Sequence, residues 1–310
     1  MVFKREDKIA RRRDEAAVVG ADTFVGSHLA EALVGCGCAV TAYGTADAAA
    51  LSDGIAYHKT DYLHYDIPES CRLIFFCHDV SQDCELHAKA LSTLCEHLAS
   101  THAVNKQVRL CYCSFANICN ADGHRITENS EIYPHCLRDT AIAHAELLLK
   151  TWCCMSRNAV APHIFRHGEL YGDVDGFPTM AGHVSECLSL ARQGKDIEFY
   201  GNLNQLRTLT HIDDFAAAVV AIALQDFIPS IINIPGEKLP VFEYLMAIAE
   251  RYGVEWIPTA KRPDAIDENN PSPSCDRVLS SVIFKSLLPD FKPKHRFKKW
   301  LNLQCLMLKA

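Results

Sequence analysis

Residues 16–34, AAVVGADTFVGSHLAEALV, constrain the fold more than any other stretch: a short apolar strand enters a glycine turn at Gly20, and an amphipathic helix leaves it near Val25. A strand and helix joined this way leave backbone N–H groups unpaired at the helix N-terminus, where the helix dipole also favours an anion. The result is a cradle for a pyrophosphate. Gly20 and Gly26 stand where such a motif needs a turn glycine and a glycine for close helix–strand packing, but the middle position is Thr23. A side chain there narrows the site. A second strand, Cys38 to Tyr43, follows the helix, as a dinucleotide-binding βαβ unit requires.

With 310 residues, 49% of them hydrophobic, the chain can bury one large core or two interleaved ones. A formal net charge of −7 argues against nonspecific nucleic-acid binding, and the basic clusters KREDKIARRR and FKPKHRFKKW read as solvated segments. No apolar run approaches the roughly 18 residues of a membrane span, and the first residues are too charged for the core of a secretory signal. The expectation is a cytoplasmic protein with neither membrane nor nucleic acid as partner. Fifteen cysteines are scattered over strands and helices and read as reduced core thiols. The pairs Cys36/Cys38 and Cys111/Cys113 lack the C-x-x-C spacing of a zinc knuckle, so no metal is expected.

Strand-like runs at Ala16–Val19, Cys38–Tyr43, Gly54–His58, Arg72–Cys77, Gln107–Cys113 and Ala159–Arg166 alternate with helical stretches at Val25–Val34, Asp83–Thr101 and Leu137–Trp152. Such alternation predicts an α/β fold, a doubly wound parallel sheet covered on both faces. In the two long helices apolar residues recur at helical spacing (Leu86, Ala90, Leu94, Leu98; Ala141, Ala145, Leu148). One face covers the sheet and another is expected to pair with a second subunit, giving a homodimer. Beyond Arg166 come a turn-rich stretch, a helix at Met180–Arg192, a strand at Ile197–Tyr200 and a polar loop at Gly201–Arg207. Next comes HIDDFAAAVVAIAL, a helix with Asp213 as its expected N-cap. Thr259–Ser274 reads as loop, followed by a terminal helical region.

Four blocks appear in order: G-x-x-T-x-x-G (Gly20, Thr23, Gly26), RHGELYG (Arg166–Gly172), Q-x-R followed by HIDD (Gln205, Arg207, His211–Asp214), and RPDA (Arg262–Ala265). With them the chain resembles the extended short-chain dehydrogenase/reductase family, which includes NAD-dependent nucleotide-sugar epimerases and dehydratases. The resemblance implies a Rossmann domain at residues 1–166, with 208–234 returning to it, and a smaller α/β substrate domain from 167–207 and 235–310. It implies NAD or NADP as cofactor and a nucleotide sugar, such as a UDP-sugar, as partner. Gly20, Thr23, Phe24, Val25 and Gly26 would face the cofactor, Asp61 the adenine, and Cys77 and His78 occupy the place of small residues at the end of the fourth strand. Gln205, Arg207 and Arg262 would hold the substrate diphosphate, where forked donors bind two oxygens.

The family's proton relay is a tyrosine with its pKa lowered by a lysine four residues on. Here the resemblance puts Phe115 at the catalytic serine, Arg138 at the tyrosine and Ile142 at the lysine, and no Tyr-x-x-x-Lys spacing occurs in the chain. Ser114 lies one position early, which on a strand points a side chain to the opposite face. The acidic residue expected to hold an adenosine ribose is Gly44, with Asp47 the nearest carboxylate after it. Two readings follow. One is an active enzyme with a substitute acid/base from Tyr112, Tyr133, His135 or His78; the other is a noncatalytic relative, a pseudoenzyme that binds a nucleotide, a nucleotide sugar or a partner.

Overall fold

The computed structural model describes residues 14–47, 51–80, 83–101, 108–121, 125–155, 160–173, 182–259 and 276–307. Strand β1 (Glu15–Val19), buried on both faces after its first residue, runs through Gly20 into helix α1 (Phe24–Gly35). The alternation continues through β2 (Ala39–Gly44), β3 (Ile55–Lys59), β4 (Leu73–Phe76), α2 (Cys84–Thr101), β5 (Val108–Phe115), α3 (Leu137–Met155) and β6 (Val160–His167). Then come β7 (Glu169–Tyr171), α4 (His183–Arg192), β8 (Ile197–Tyr200), β9 (Leu206–His211), α5 (Ile212–Ala223) and β10 (Ile231–Asn233). The remaining elements are β11 (Glu237–Pro240), α6 (Val241–Tyr252), β12 (Trp256–Thr259), α7 (Val282–Leu287) and α8 (Phe297–Met307).

Seven strands pair in the order β10-β6-β5-β4-β1-β2-β3, every neighbour parallel. This is the doubly wound Rossmann sheet that the strand–helix alternation predicts. Apolar residues of α1 and α5 pack on one face, around Val18, Phe75 and Phe165; those of α2 and α3 pack on the other, around Val19, Ile74 and Tyr112. Order reverses at β1, which pairs with β2 on one side and β4 on the other. In such sheets the crevice beyond the strand ends at the reversal is where ligands bind. Gly20 and the pair Cys77–His78 meet there.

The rest of the chain forms a three-stranded sheet, β11-β9-β7, and a two-stranded one, β12-β8, with a third apolar cluster drawn from α4, α6 and α8. Two local expectations are corrected. The segment ending at Arg207 is loop only as far as Gln205, because β9 begins at Leu206; buried Arg207, Thr208 and Thr210 hide its strand pattern behind polar side chains. The N-cap of α5 is His211, not Asp213: the helix starts at Ile212, and the His211 Nδ1 accepts the Asp213 N–H at 3.2 Å. No disulfide joins cysteines among the described residues.

A buried ion pair ties α3 to the sheet. Arg166 donates from Nε and Nη2 to the two oxygens of Glu146 at 2.9 and 2.7 Å, and the Ser114 hydroxyl donates to the same carboxylate at 2.7 Å. Burial opposes the Glu146 charge, yet the bonds and charge of Arg166 outweigh it and hold the carboxyl below its ordinary value.

Gly26 is fixed by contact between α1 and the turn: a Cβ there would fall 1.9 Å from the carbonyl oxygen of Gly20. Gly26→Ala is expected to destabilise the fold by about 3 kcal/mol or more, since overpacking of backbone against backbone has little room to relax. Chemical denaturation beside the unaltered protein checks this.

Candidate functional site

The crevice at the sheet reversal is lined by the turn and start of α1 (Thr23, Phe24, Val25), the end of β4 (Cys77, His78) and the inner faces of α2, β5 and α3 (His87, Tyr112, Phe115, Arg138, Ile142), with His167 below. Its cavity volume is about 70 Å³. One water needs about 10–15 Å³ on this measure, so a few waters fill it and a larger ligand must extend along the open edge. Gly20 adopts φ +87°, and a Cβ there would come within 2.7–2.8 Å of the Cys77–His78 peptide. The turn thus lies backbone to backbone against the end of β4.

Thr23 takes over part of the cradle. Its hydroxyl lies 2.7 Å from the carbonyl oxygen of Gly20 and 3.0 Å from that of Cys77, placed to donate to either, and it accepts the Gly26 N–H at 3.1 Å. One N–H of the helix N-terminus is therefore used internally. Those of Phe24 and Val25 have no carbonyl within the helix to reach and belong to residues that line the crevice. With both close-packing glycines in place, these groups fit a pyrophosphate of a dinucleotide, at a cradle narrower than one with a middle glycine.

The residues that the resemblance sets at the proton relay, Phe115, Arg138 and Ile142, lie together on the crevice wall. The Arg138 guanidinium sits 5.6 Å from the Phe115 ring centroid, a cation–π contact. Ser114 points the other way, into the Glu146 pair. Tyr133 is 55% exposed and stacks edge-on with His135, and neither lines the crevice.

His78 and Tyr112 are brought together by a residue the sequence reading missed, His87. The Nδ1 atoms of His78 and His87 share a hydrogen bond at 3.2 Å, and His87 Nε2 lies 3.1 Å from the Tyr112 hydroxyl. If Tyr112 donates to His87 and His87 to His78, one polar hydrogen is left over, on the buried His78 Nε2, which has no protein partner. The available signal was position: His87 shares the inward stripe of α2 with Leu91, Leu94 and Leu98. Burial lowers His87 to about 3 and pushes Tyr112 well above its ordinary value; it also lowers His78, against the opposing pull of Asp79 and Asp22.

The remaining expected contacts are dispersed. Asp61 turns its carboxylate onto its own loop, accepting from Leu63 and His64 N–H groups at 2.8 and 3.0 Å. Gly44 ends β2, and the carboxylate of Asp22 reaches it from the glycine turn. Arg207, 3% exposed, donates to Glu169 at 2.9 Å and to Gln205 Oε1 at 3.4 Å. Arg262 lies outside the described residues. His211, Asp213 and His295 bring possible metal-ligand atoms within 4.8 Å of one another. The two imidazoles, however, are stacked at 3.8 Å and 17°, so their in-plane lone pairs run side by side rather than converging on an ion.

The NAD dependent epimerase/dehydratase family model matches residues 16–234, more than half of the chain. The chain belongs to that family. Among solved structures it is similar to MoeE5 in complex with UDP-glucose and NAD, at 18% identity and TM-score 0.75, covering 96% of this chain and 98% of that one. The UDP-glucose 4-epimerase of Thermotoga maritima, with UDP-glucose, matches at 16% identity and TM-score 0.73 over 95% of this chain and 98% of that one. The UDP-glucose 4-epimerase of Thermus thermophilus, in complex with NAD, matches at 19% identity and TM-score 0.73 over 96% of this chain and 99% of that one. At these identities the likeness shows the fold. No curated protein matches by sequence.

Three buried histidines give the fold a pH dependence. Burial lowers His87 to about 3, His167 to about 4 and His183 to about 3, against an ordinary 6.5. Below 6.5 the unfolded chain binds protons that the fold refuses, so stability is full above that value and falls as the medium is acidified towards those lowered values. Each histidine contributes a slope of about 1.36 kcal/mol per pH unit within the window. Urea unfolding between about pH 7.5 and about pH 5 should therefore show a steep loss that begins below about 6.5.

Proposed function

We propose that this chain binds a nicotinamide dinucleotide and a nucleotide sugar without running the family's tyrosine–lysine relay. The observation that carries the reading is that Phe115, Arg138 and Ile142, which the sequence resemblance sets at the relay's hydroxyl, phenol and ammonium, lie together on the crevice wall. A bound dinucleotide supplies a hydride acceptor, but a sugar hydroxyl also needs a base for its proton. A guanidinium stays protonated in proteins and cannot shuttle a proton near neutral pH, and an isoleucine cannot lower a neighbour's pKa. Family membership and the UDP-glucose and NAD bound to similar structures support the ligand classes. Gln205 and Arg207, with Arg262, are proposed to meet the sugar-linked diphosphate. The proposed site of action is cytoplasmic; among the described residues no disulfide joins cysteines, and no helix is long and apolar enough to cross a membrane.

A specific observation favours a second reading, that of an enzyme with a rebuilt relay: the chain Tyr112–His87–His78 carries hydrogen-bonding groups from the core to the crevice. Calorimetric titration with NAD, NADP and UDP-glucose, followed by chromatography of the sugar, separates the two. Binding with no keto product and no C4 epimer is expected. Turnover overturns the noncatalytic reading, and its loss in Tyr112→Phe assigns it to the rebuilt relay.

A homodimer is proposed through α2 and α3, which pack on each other. Leu137, Leu147 and Met155 of α3 are 63, 61 and 77% exposed, and their spacing keeps them within about 80° of one another around the helix. Light scattering is expected to give twice the 34.5 kDa chain mass, and Leu147→Glu to return a monomer.

A further inference from the structure

In a dinucleotide-binding βαβ unit an acidic side chain about 20 residues beyond the glycine turn, at the end of the second strand, holds the adenosine ribose. Here that strand ends in Gly44. A Cβ placed on Gly44 would fall 2.5 Å from both Cγ and Oδ1 of Asp22 and 2.6 Å from the Tyr57 hydroxyl oxygen. The volume that a side chain at position 44 would take is therefore already filled by a carboxylate, delivered from the glycine turn instead of from the strand. The glycine and the aspartate are two halves of one exchange: Gly44 leaves the room that Asp22 uses.

The carboxylate is held firmly in place. Its Oδ2 accepts the N–H groups of Thr45 and Ala46 at 2.7 and 3.0 Å and the Thr45 hydroxyl at 3.1 Å. Among the described residues, its Oδ1 accepts only the Tyr62 hydroxyl, at 2.8 Å. Each carboxylate oxygen has two lone pairs, so the three donors on Oδ2 share its two while Oδ1 has one left for a further donor. Oδ1 is also the oxygen nearest the missing side chain at 44, and Asp22 is only half-buried. Lys59, the cation at the end of β3, is in an ion pair with Asp47, which occupies its charge.

We propose that Asp22 is the ribose-recognising acid of this chain: it accepts a hydrogen bond from the adenosine 2′-hydroxyl and repels a 2′-phosphate, so that NAD is bound in preference to NADP. The proposal rests on the dinucleotide reading of the crevice.

Calorimetric affinities of the full chain for NAD and NADP test it without any turnover. NAD is expected to bind more tightly by about tenfold or more, a ratio that Asp22→Asn should bring close to unity. Asp22→Ala should weaken NAD binding, and Asp22→Ala combined with Gly44→Asp and Tyr57→Phe should restore both affinity and preference, because the removed carboxylate and hydroxyl together free the volume for the new carboxylate. A general loosening of the turn weakens both dinucleotides together and leaves their ratio unmoved. NAD binding whose preference survives Asp22→Asn overturns this assignment alone, as does a wild-type preference for NADP. Failure of the unaltered chain to bind either dinucleotide overturns the cofactor reading and the assignment with it.

Discussion

Backbone-to-backbone contact at one point organises this molecule. The turn at Gly20 lies directly on the peptide joining Cys77 to His78, and Gly26 lies on the carbonyl of Gly20, with no room for a methyl group at either position. These contacts set how α1 leaves β1 and how β1 sits beside β4, and so where the crevice opens. Side chains can be exchanged around that frame far more easily than the frame can be changed. The chain accordingly keeps the fold of its family with Phe115, Arg138 and Ile142 on the crevice wall.

What the wall can do follows from chemistry rather than fold. The Phe115 ring has the Arg138 guanidinium 5.6 Å from its centroid and the His167 ring tilted against it at 5.4 Å. The groups capable of carrying protons, His78, His87 and Tyr112, hold one another along the same crevice, and burial disfavours their charged forms. At the glycine turn the Asp22 carboxylate accepts the Thr45 N–H, and the Thr23 hydroxyl accepts the N–H of Gly26.

The sheet was legible because its signals are local. Glycine spacing is imposed by sterics, strand–helix alternation by burial on both faces, and both survive without knowledge of partners. The assignment of Phe115, Arg138 and Ile142 to the relay positions rests on the same kind of signal, their distance from recognisable neighbours such as Glu146. What escaped depends on groups far away in sequence. Asp22 finds its place only because Gly44 leaves it space, and His87 its partners only because Tyr112 of β5 and His78 beyond β4 reach it. The strand at Leu206–His211 is disguised by polar side chains whose partners come from elsewhere, Glu169 for Arg207 among them. The helix cap moved from Asp213 to His211 because an imidazole, rather than a short carboxylate, meets the first unpaired N–H.

The contact between Arg138 and Phe115 also bears on redesign. A tyrosine at 138 would meet neither a hydroxyl at 115 nor an ammonium at 142, and would give up the guanidinium's contact with the ring. A lone exchange on this wall therefore removes a contact without supplying a path for a proton. Positions 115, 138 and 142 are coupled, and only a joint replacement would change what the wall can do.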